Sequence, residues 1–315
     1  PRSEESVVDA GSVKPLHDVE LTGCRPEPLG SYLKALAVLR LVAEQKDRNA
    51  RGWWRGEHFM LASALDRDAL IRFFVEEWAP TPVIAPWNGG SGFYPKDNKE
   101  APDAIVASEN RRLDVFVDTL RIARAHVADR GWTERPADEA KRNLLSAMRA
   151  SLPDQALAWL DAAVVLADDR LLFPPLLGTG GNDGRLDFSN NFQQRVVEVT
   201  RTADPEAVNA SLFGVPLTSR FKGAMGQYQP AAGERSNPWD FVLLIEGALL
   251  FAGAAPRRME SSSPAVMAFP FHARAAGGLG PVTEKDEDDS RDELWLPLWS
   301  RPTSLRELRH LFAEG

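Results

Sequence analysis

His17 to Thr22 alternates polar and apolar side chains, with Val19 and Leu21 on one side, which predicts a half-buried strand ended by the Pro- and Gly-containing stretch Gly23 to Gly30. Pro28 suits a first helical turn, and Tyr32, Leu33, Leu36, Leu39 and Val42 recur at three- and four-residue spacing. A helix with one wide apolar stripe therefore runs to about Lys46. Trp53 to Leu61 reads as a second strand. Asp66 is suited to cap a helix whose Leu70, Ile71, Phe74 and Trp78 face inward, with Pro80 and Pro82 as its stop. The opening is thus β-α-β-α.

From Ala101 to Asp168 the pattern becomes helical, with segments near Arg111 to Asp129, Ala137 to Ser151 and Pro153 to Ala167, broken by Gly131, Pro136 and Pro153. A Gly/Asn/Asp-rich loop, Leu177 to Asn191, interrupts this bundle. Helix resumes at Phe192 to Thr200 and at Pro238 to Ala254, the second capped by Asn237, with Asp240 three residues on. Val266 to Ala273 and Leu294 to Trp299 are expected late strands, and Ser304 to Ala313 a closing helix. The expected fold class is α+β: residues 1–18 a polar lead-in, 19–100 a mixed β/α region with a Gly-rich loop, and 101–315 a mainly helical region with a second such loop.

Composition narrows the function classes. The chain has 315 residues, with 45 Asp and Glu against 37 Lys and Arg, a formal charge of −8. A uniformly basic nucleic-acid binder is excluded, but Glu284 to Glu293 alone carries seven acidic and two basic residues, so the remaining surface has room for a basic stripe. The single cysteine, Cys24, permits neither an intrachain disulfide nor a thiolate metal cluster and fits a reducing cytoplasm. The longest apolar run, Phe241 to Ala255, contains Glu246 and is shorter than the roughly 20 residues a bilayer needs. A buried helix is expected there, and no membrane.

Four stretches stand out chemically. Gly23 to Tyr32 presents Arg25 and Glu27 before a helix start, where exposed N–H groups favour an anion; the plainer reading is a shaped turn in which Arg25 pairs with Glu27 or a helix end. Ala85 to Asp97 places Asn88, Gly89, Gly90 and Lys96 among three aromatics, Trp87, Phe93 and Tyr94. Its glycines would let main-chain N–H groups approach a phosphate or base edge, while the aromatics would stack on bases. It matches neither common nucleotide-binding glycine signature, and a structural turn with buried aromatics fits equally well. Gly178 to Asn191 holds four glycines, three asparagines and two aspartates, followed by Gln193 and Arg195. Asn182, Asn190 and Gln193 are suited to base edges, Arg185 and Arg195 to phosphates, and Asp183 with Asp187 to Mg²⁺. In the helix from Asn237 to Phe251, Glu246 must be partnered or neutral, and a salt bridge to an arginine of another segment is favoured over general-base work. The five histidines show no metal-ligand spacing, and no serine stands in a nucleophile elbow.

These segments, in this order, together with Arg291 to Trp299, resemble the large subunit of subtype I-G (formerly I-U) CRISPR effector complexes over most of the chain after Asp18, including Leu308 to Gly315, with no match at Pro1 to Leu16 or Ser261 to Ser263. Members of that family run beyond this point, so the resemblance implies an N-terminal part with the C-terminal remainder absent. It also implies a non-catalytic, cytoplasmic subunit of the crRNA-guided surveillance complex Cascade, with no cofactor. Its partners would be a backbone subunit, a crRNA-processing subunit, the crRNA, target double-stranded DNA and a transiently recruited helicase-nuclease. Such subunits recognise the PAM duplex and support R-loop formation, whereas crRNA pairing reads the target. Asn88, Gly89, Gly90, Lys96, Asn182, Arg185, Asn190 and Gln193 are the candidate contacts, chosen by chemistry: small residues with Asn, Gln and Lys suit a narrow minor groove. Two other readings stay open. One is a Mg²⁺-dependent phosphoryl-transfer or nuclease enzyme using Asp183 and Asp187, and the other is a purely structural assembly subunit.

Overall fold

The computed structural model of the protein describes residues 16–167, 170–174, 176–177, 188–214, 237–254, 268–274 and 292–314. Its elements run β1 (His17–Leu21), α1 (Leu29–Gln45), β2 (Arg51–Arg55), β3 (His58–Ser63), α2 (Arg67–Arg72), α3 (Glu100–Val106), α4 (Asp114–Asp129), α5 (Asp138–Ser151), α6 (Asp154–Ala163), β4 (Val165–Ala167) and β5 (Arg170–Leu172). They continue with α7 (Phe188–Thr202), α8 (Pro205–Phe213), α9 (Pro238–Ala248), β6 (His272–Arg274), β7 (Asp292–Leu294), β8 (Thr303–Ser304) and α10 (Leu305–Glu314). The class is α+β, an N-terminal strand-helix unit followed by a mainly helical region with late strands.

The expected strand Trp53 to Leu61 is instead a hairpin. Gly56, at φ +60°, occupies the first of two turn residues between Arg55 and His58, a position that favours glycine because its dihedral lies in the left-handed region. β3 is therefore central, flanked antiparallel by β1 and β2, and β8 adds to the outer edge of β2. One face carries Val19, Leu21, Trp54, Phe59 and Leu61 into the core. Gly52 lacks a side chain because Phe59 lies over it: a Cβ there would stand 2.3 Å from the ring.

α1 is buried on every side from Gly30 to Ala43, wider than the single stripe its spacing predicts, because α9 packs against it in the centre of the molecule. α9 ends at Ala248, short of the expected Ala254. Asn237 caps it by accepting the Trp239 N–H at 3.0 Å, while Asp240 serves Lys34 and Ser211 instead of the cap. Asp66 caps α2 through the Ala69 N–H at 2.8 Å, and a π-turn at Phe73–Glu77 carries the chain to Trp78 before Pro80. The segment expected as helix to Ala167 leaves α6 at Ala163 and becomes β4, paired antiparallel with β5. α7 begins at Phe188, inside the stretch expected as loop to Asn191, and α8 was not foreseen. Of the late strands, β6 and β7 pair with each other, and residues 295–300 run as irregular chain along β2, where the Trp54 N–H donates to the Trp299 carbonyl at 2.8 Å.

Candidate nucleic-acid interface

The strap Thr81 to Trp87 is buried throughout and pinned from three elements. Gln193 of α7 donates from Nε2 to the Val83 carbonyl at 3.2 Å, Trp159 of α6 donates from Nε1 to the Ile84 carbonyl at 2.6 Å, and the Tyr94 hydroxyl donates to the Pro86 carbonyl. Burial pushes the Tyr94 phenol well above its ordinary range, so it stays a donor. From this strap the chain emerges at Asn88 and returns at Asp97.

Asp97 organises the loop between them. Its Oδ1 accepts the Gly90 N–H at 2.9 Å, and its Oδ2 accepts the N–H groups of Gly92, Phe93 and Tyr94 at 3.0, 3.1 and 3.1 Å. Gly90 and Gly92 sit at φ +81° and +87°, which turns those N–H groups inward onto one carboxylate. The glycines were expected to free main-chain donors for a phosphate. Those four donors are instead held by the protein's own anion, and what the loop offers outside is its tip.

That tip is open. Asn88 is half-buried, Gly89, Gly90 and Lys96 are exposed, and a Cβ on Gly90 would meet nothing within 4 Å. Trp87, Phe93 and Tyr94, expected as stacking surfaces, are 2%, 8% and 2% exposed and belong to the core. Their burial fits the alternative of a turn built on aromatics.

Asn190 and Gln193 are corrections of a similar kind. Asn190 is buried beneath the loop and donates from Nδ2 to the Asn98 carbonyl at 2.8 Å, while Gln194 donates to its Oδ1 at 2.6 Å. Gln193 is fully buried. Both lie on α7, whose early start turns them inward, so they support the loop and do not face a ligand. Asn182, Arg185, Asp183 and Asp187 lie outside the described residues, as does most of the acidic stretch Glu284 to Glu293. Arg195 pairs with Glu198 at 2.6 Å. Asn88, Gly89, Gly90 and Lys96 are thus the four candidates found together on one exposed loop.

The turn before α1 is not an open anion site. The Ser31 hydroxyl accepts the Arg25 N–H at 2.7 Å and donates to the Gly23 carbonyl at 3.2 Å, and a Cβ on Gly23 would lie 2.3 Å from the Ser211 carbonyl oxygen. Arg25 pairs with Glu57 of the β2–β3 turn at 3.2 Å, and not with Glu27.

Glu246 is held as expected by an arginine of another segment. Arg40 donates to its carboxylate and, from Nε, to its carbonyl at 3.1 Å, while the Thr81 N–H and hydroxyl donate to the carboxylate at 2.9 and 2.6 Å. Burial pushes this carboxyl above its usual range, against the pull of Arg40. An open cleft of about 290 Å³ lies nearby, lined by Arg40, Asp161, Leu250, Arg309 and Phe312 among others. Its charges are paired within the chain: Arg40 and Arg309 with Glu44, and Asp161 with Arg149 at 2.6 Å.

A serine and a histidine stand in contact, His126 of α4 with Nε2 at 2.8 Å from the Ser151 hydroxyl of α5. The Ser151 proton goes to the Ala147 carbonyl at 2.9 Å, and Arg130 faces the other ring nitrogen at 3.5 Å. With its proton on Nε2 the imidazole donates to the serine, and in that arrangement the pair ties α4 to α5. Among the described residues no cluster of His, Cys, Asp or Glu is arranged to hold a metal ion, and no helix is long and apolar enough to cross a membrane.

Reasoning from sequence missed Asp97 as organiser of the loop and Arg135 as its neighbour. Arg135, in the connection from α4 to α5, has its Cδ 3.9 Å from where a Cβ on Gly89 would stand. No family model matches the chain, and no curated protein matches it significantly.

Proposed function

We propose that this chain is a non-catalytic recognition subunit that touches duplex DNA with the tip Asn88 to Lys96, as the resemblance to the I-G large subunit implies. The observation that carries the reading is an exposed loop tip with polar and glycine surface outside and four main-chain N–H groups gathered on Asp97 inside. A tip of this kind meets a groove without first losing conformational entropy, because its backbone is already fixed. Small residues allow close approach, Asn88 supplies both a donor and an acceptor to a base edge, and Lys96 supplies charge. The net charge of −8 argues for a short contact within a larger assembly, in which crRNA pairing and partner subunits provide most of the affinity.

The test uses the full assembled complex, with Asn88→Ala and Lys96→Ala combined. The expected outcome is normal assembly and crRNA content, with discrimination between PAM and non-PAM duplexes reduced at least about tenfold, near one base-contact equivalent. Failure of assembly would favour the purely structural reading. Unchanged discrimination would overturn the DNA-contact reading.

A further inference from the structure

Because Asp97 takes the N–H groups of Gly90, Gly92, Phe93 and Tyr94, a phosphate reaching this tip would draw mainly on side-chain cations. Lys96, on the loop, makes no ion pair or hydrogen bond among the described residues. Arg135 arrives from a different segment, the α4–α5 connection, and lies over Gly89. It too is exposed and without a partner among the described residues, although Glu134 is its neighbour in sequence. Other exposed arginines, Arg48, Arg72, Arg111 and Arg306 among them, are also without a partner among the described residues, so what distinguishes Arg135 is its place beside Gly89.

We propose that Arg135 and Lys96 are the two phosphate contacts of this tip and grip the backbone of a duplex while the face Asn88-Gly89-Gly90 lies toward the groove. This rests on the DNA-contact reading above and adds to it a residue from a separate segment and a division of labour. A Cβ on Gly89 would stand 3.9 Å from the Arg135 Cδ, an ordinary van der Waals distance, so the arginine stem runs alongside the tip at this glycine. Asp97 is the positioning residue: it touches no ligand but fixes the direction of Gly90 and of the turn that follows it. Phosphate contacts add affinity without sequence information, so Arg135 sets how tightly and not which duplex.

The experiment measures binding of PAM and non-PAM duplexes to the assembled complex across a salt series. Arg135→Ala is expected to weaken binding to both duplexes by a similar factor and to lower the slope of log K against log salt by about 1, leaving the ratio between the duplexes unchanged. Arg135→Lys is expected to restore the slope, because it keeps the charge. An Arg135→Ala complex with unaltered slope overturns the inference even where Asn88→Ala still abolishes discrimination, which leaves the DNA-contact reading standing. A wild-type complex that does not distinguish the duplexes overturns that reading; the salt slope of Arg135→Ala on either duplex still decides the phosphate contact separately.

Discussion

Gly247 of α9 passes so close to Leu33 of α1 that a Cβ on the glycine would stand 1.8 Å from the Leu33 carbonyl oxygen. The obstacle is main chain, which cannot rotate away as a flexible side chain can. Both helices are buried around their whole circumference, so neither has a solvent side toward which to retreat. Gly247→Ala is expected to destabilise the protein by about 2 kcal/mol or more, in the upper range of overpacking costs, despite alanine's better helix propensity. Chemical denaturation followed by circular dichroism checks this; a neutral or stabilised variant would refute the close approach.

The ion pair between Arg40 and Glu246 joins the same two helices and gives a second expectation. Glu246→Ala leaves the arginine buried with part of its bonding lost, and the cost should be about 3–5 kcal/mol. Replacing both residues by apolar ones, Arg40→Met with Glu246→Leu, should cost less than that single change, because no unpaired charge remains. A double-mutant cycle by denaturation tests it, and simple additivity of the two single variants would contradict the pairing.

The raised pKa of Glu246 adds a pH signature. A carboxyl that holds its proton more tightly when folded contributes stability at pH values below its unfolded pKa, and loses that contribution as pH rises from about 4.5 toward the higher folded value. Glu246→Gln does not titrate. The stability of wild type relative to Glu246→Gln should therefore decline as pH is raised through that window, as read by thermal melts between acid and neutral pH. A difference that grows with pH would show a depressed carboxyl, and the cause assigned here, burial, would be wrong.

Helices with strong local signals were readable in advance. α4 and α5 follow their spacing closely, and the caps at Asp66 and Asn237 needed only one side chain and a nearby N–H. The hairpin was missed because Gly56 and Glu57 interrupt an otherwise continuous strand pattern with only one glycine. α8 carried its own signal, Asp204 before Pro205, and Asp204 does cap it through the Glu206 N–H at 2.9 Å. The inward turn of Asn190 and Gln193 depends on where α7 begins and on a strap distant in sequence, so composition made them look like ligand contacts. Arg135 could not be found by reading the chain, since only tertiary packing brings it to Gly89. Asp97 is a similar case. Its partners are main-chain N–H groups, identical at every residue, and they converge only once two glycines have adopted positive φ.

Asp97 supports the last prediction. In Asp97→Ala the N–H groups of Gly90, Gly92, Phe93 and Tyr94 lose their acceptor, and those of the half-buried turn are left with poor access to water. Asp97→Asn keeps one carbonyl oxygen but replaces the other by an NH₂ group that confronts donors, so it should rescue only part of the loss. The expected order of stability is wild type, then Asn, then Ala, with the alanine change costing about 2 kcal/mol. The rest of the fold should persist, because the strap beneath is held by Gln193 and Trp159 independently of this carboxylate. Amide hydrogen exchange separates the two effects. Protection should fall at Gly90, Gly92, Phe93 and Tyr94 in both variants while remaining at the α1 and α9 amides, and faster exchange spread evenly over the molecule would mean that Asp97 supports the whole fold instead of setting one tip.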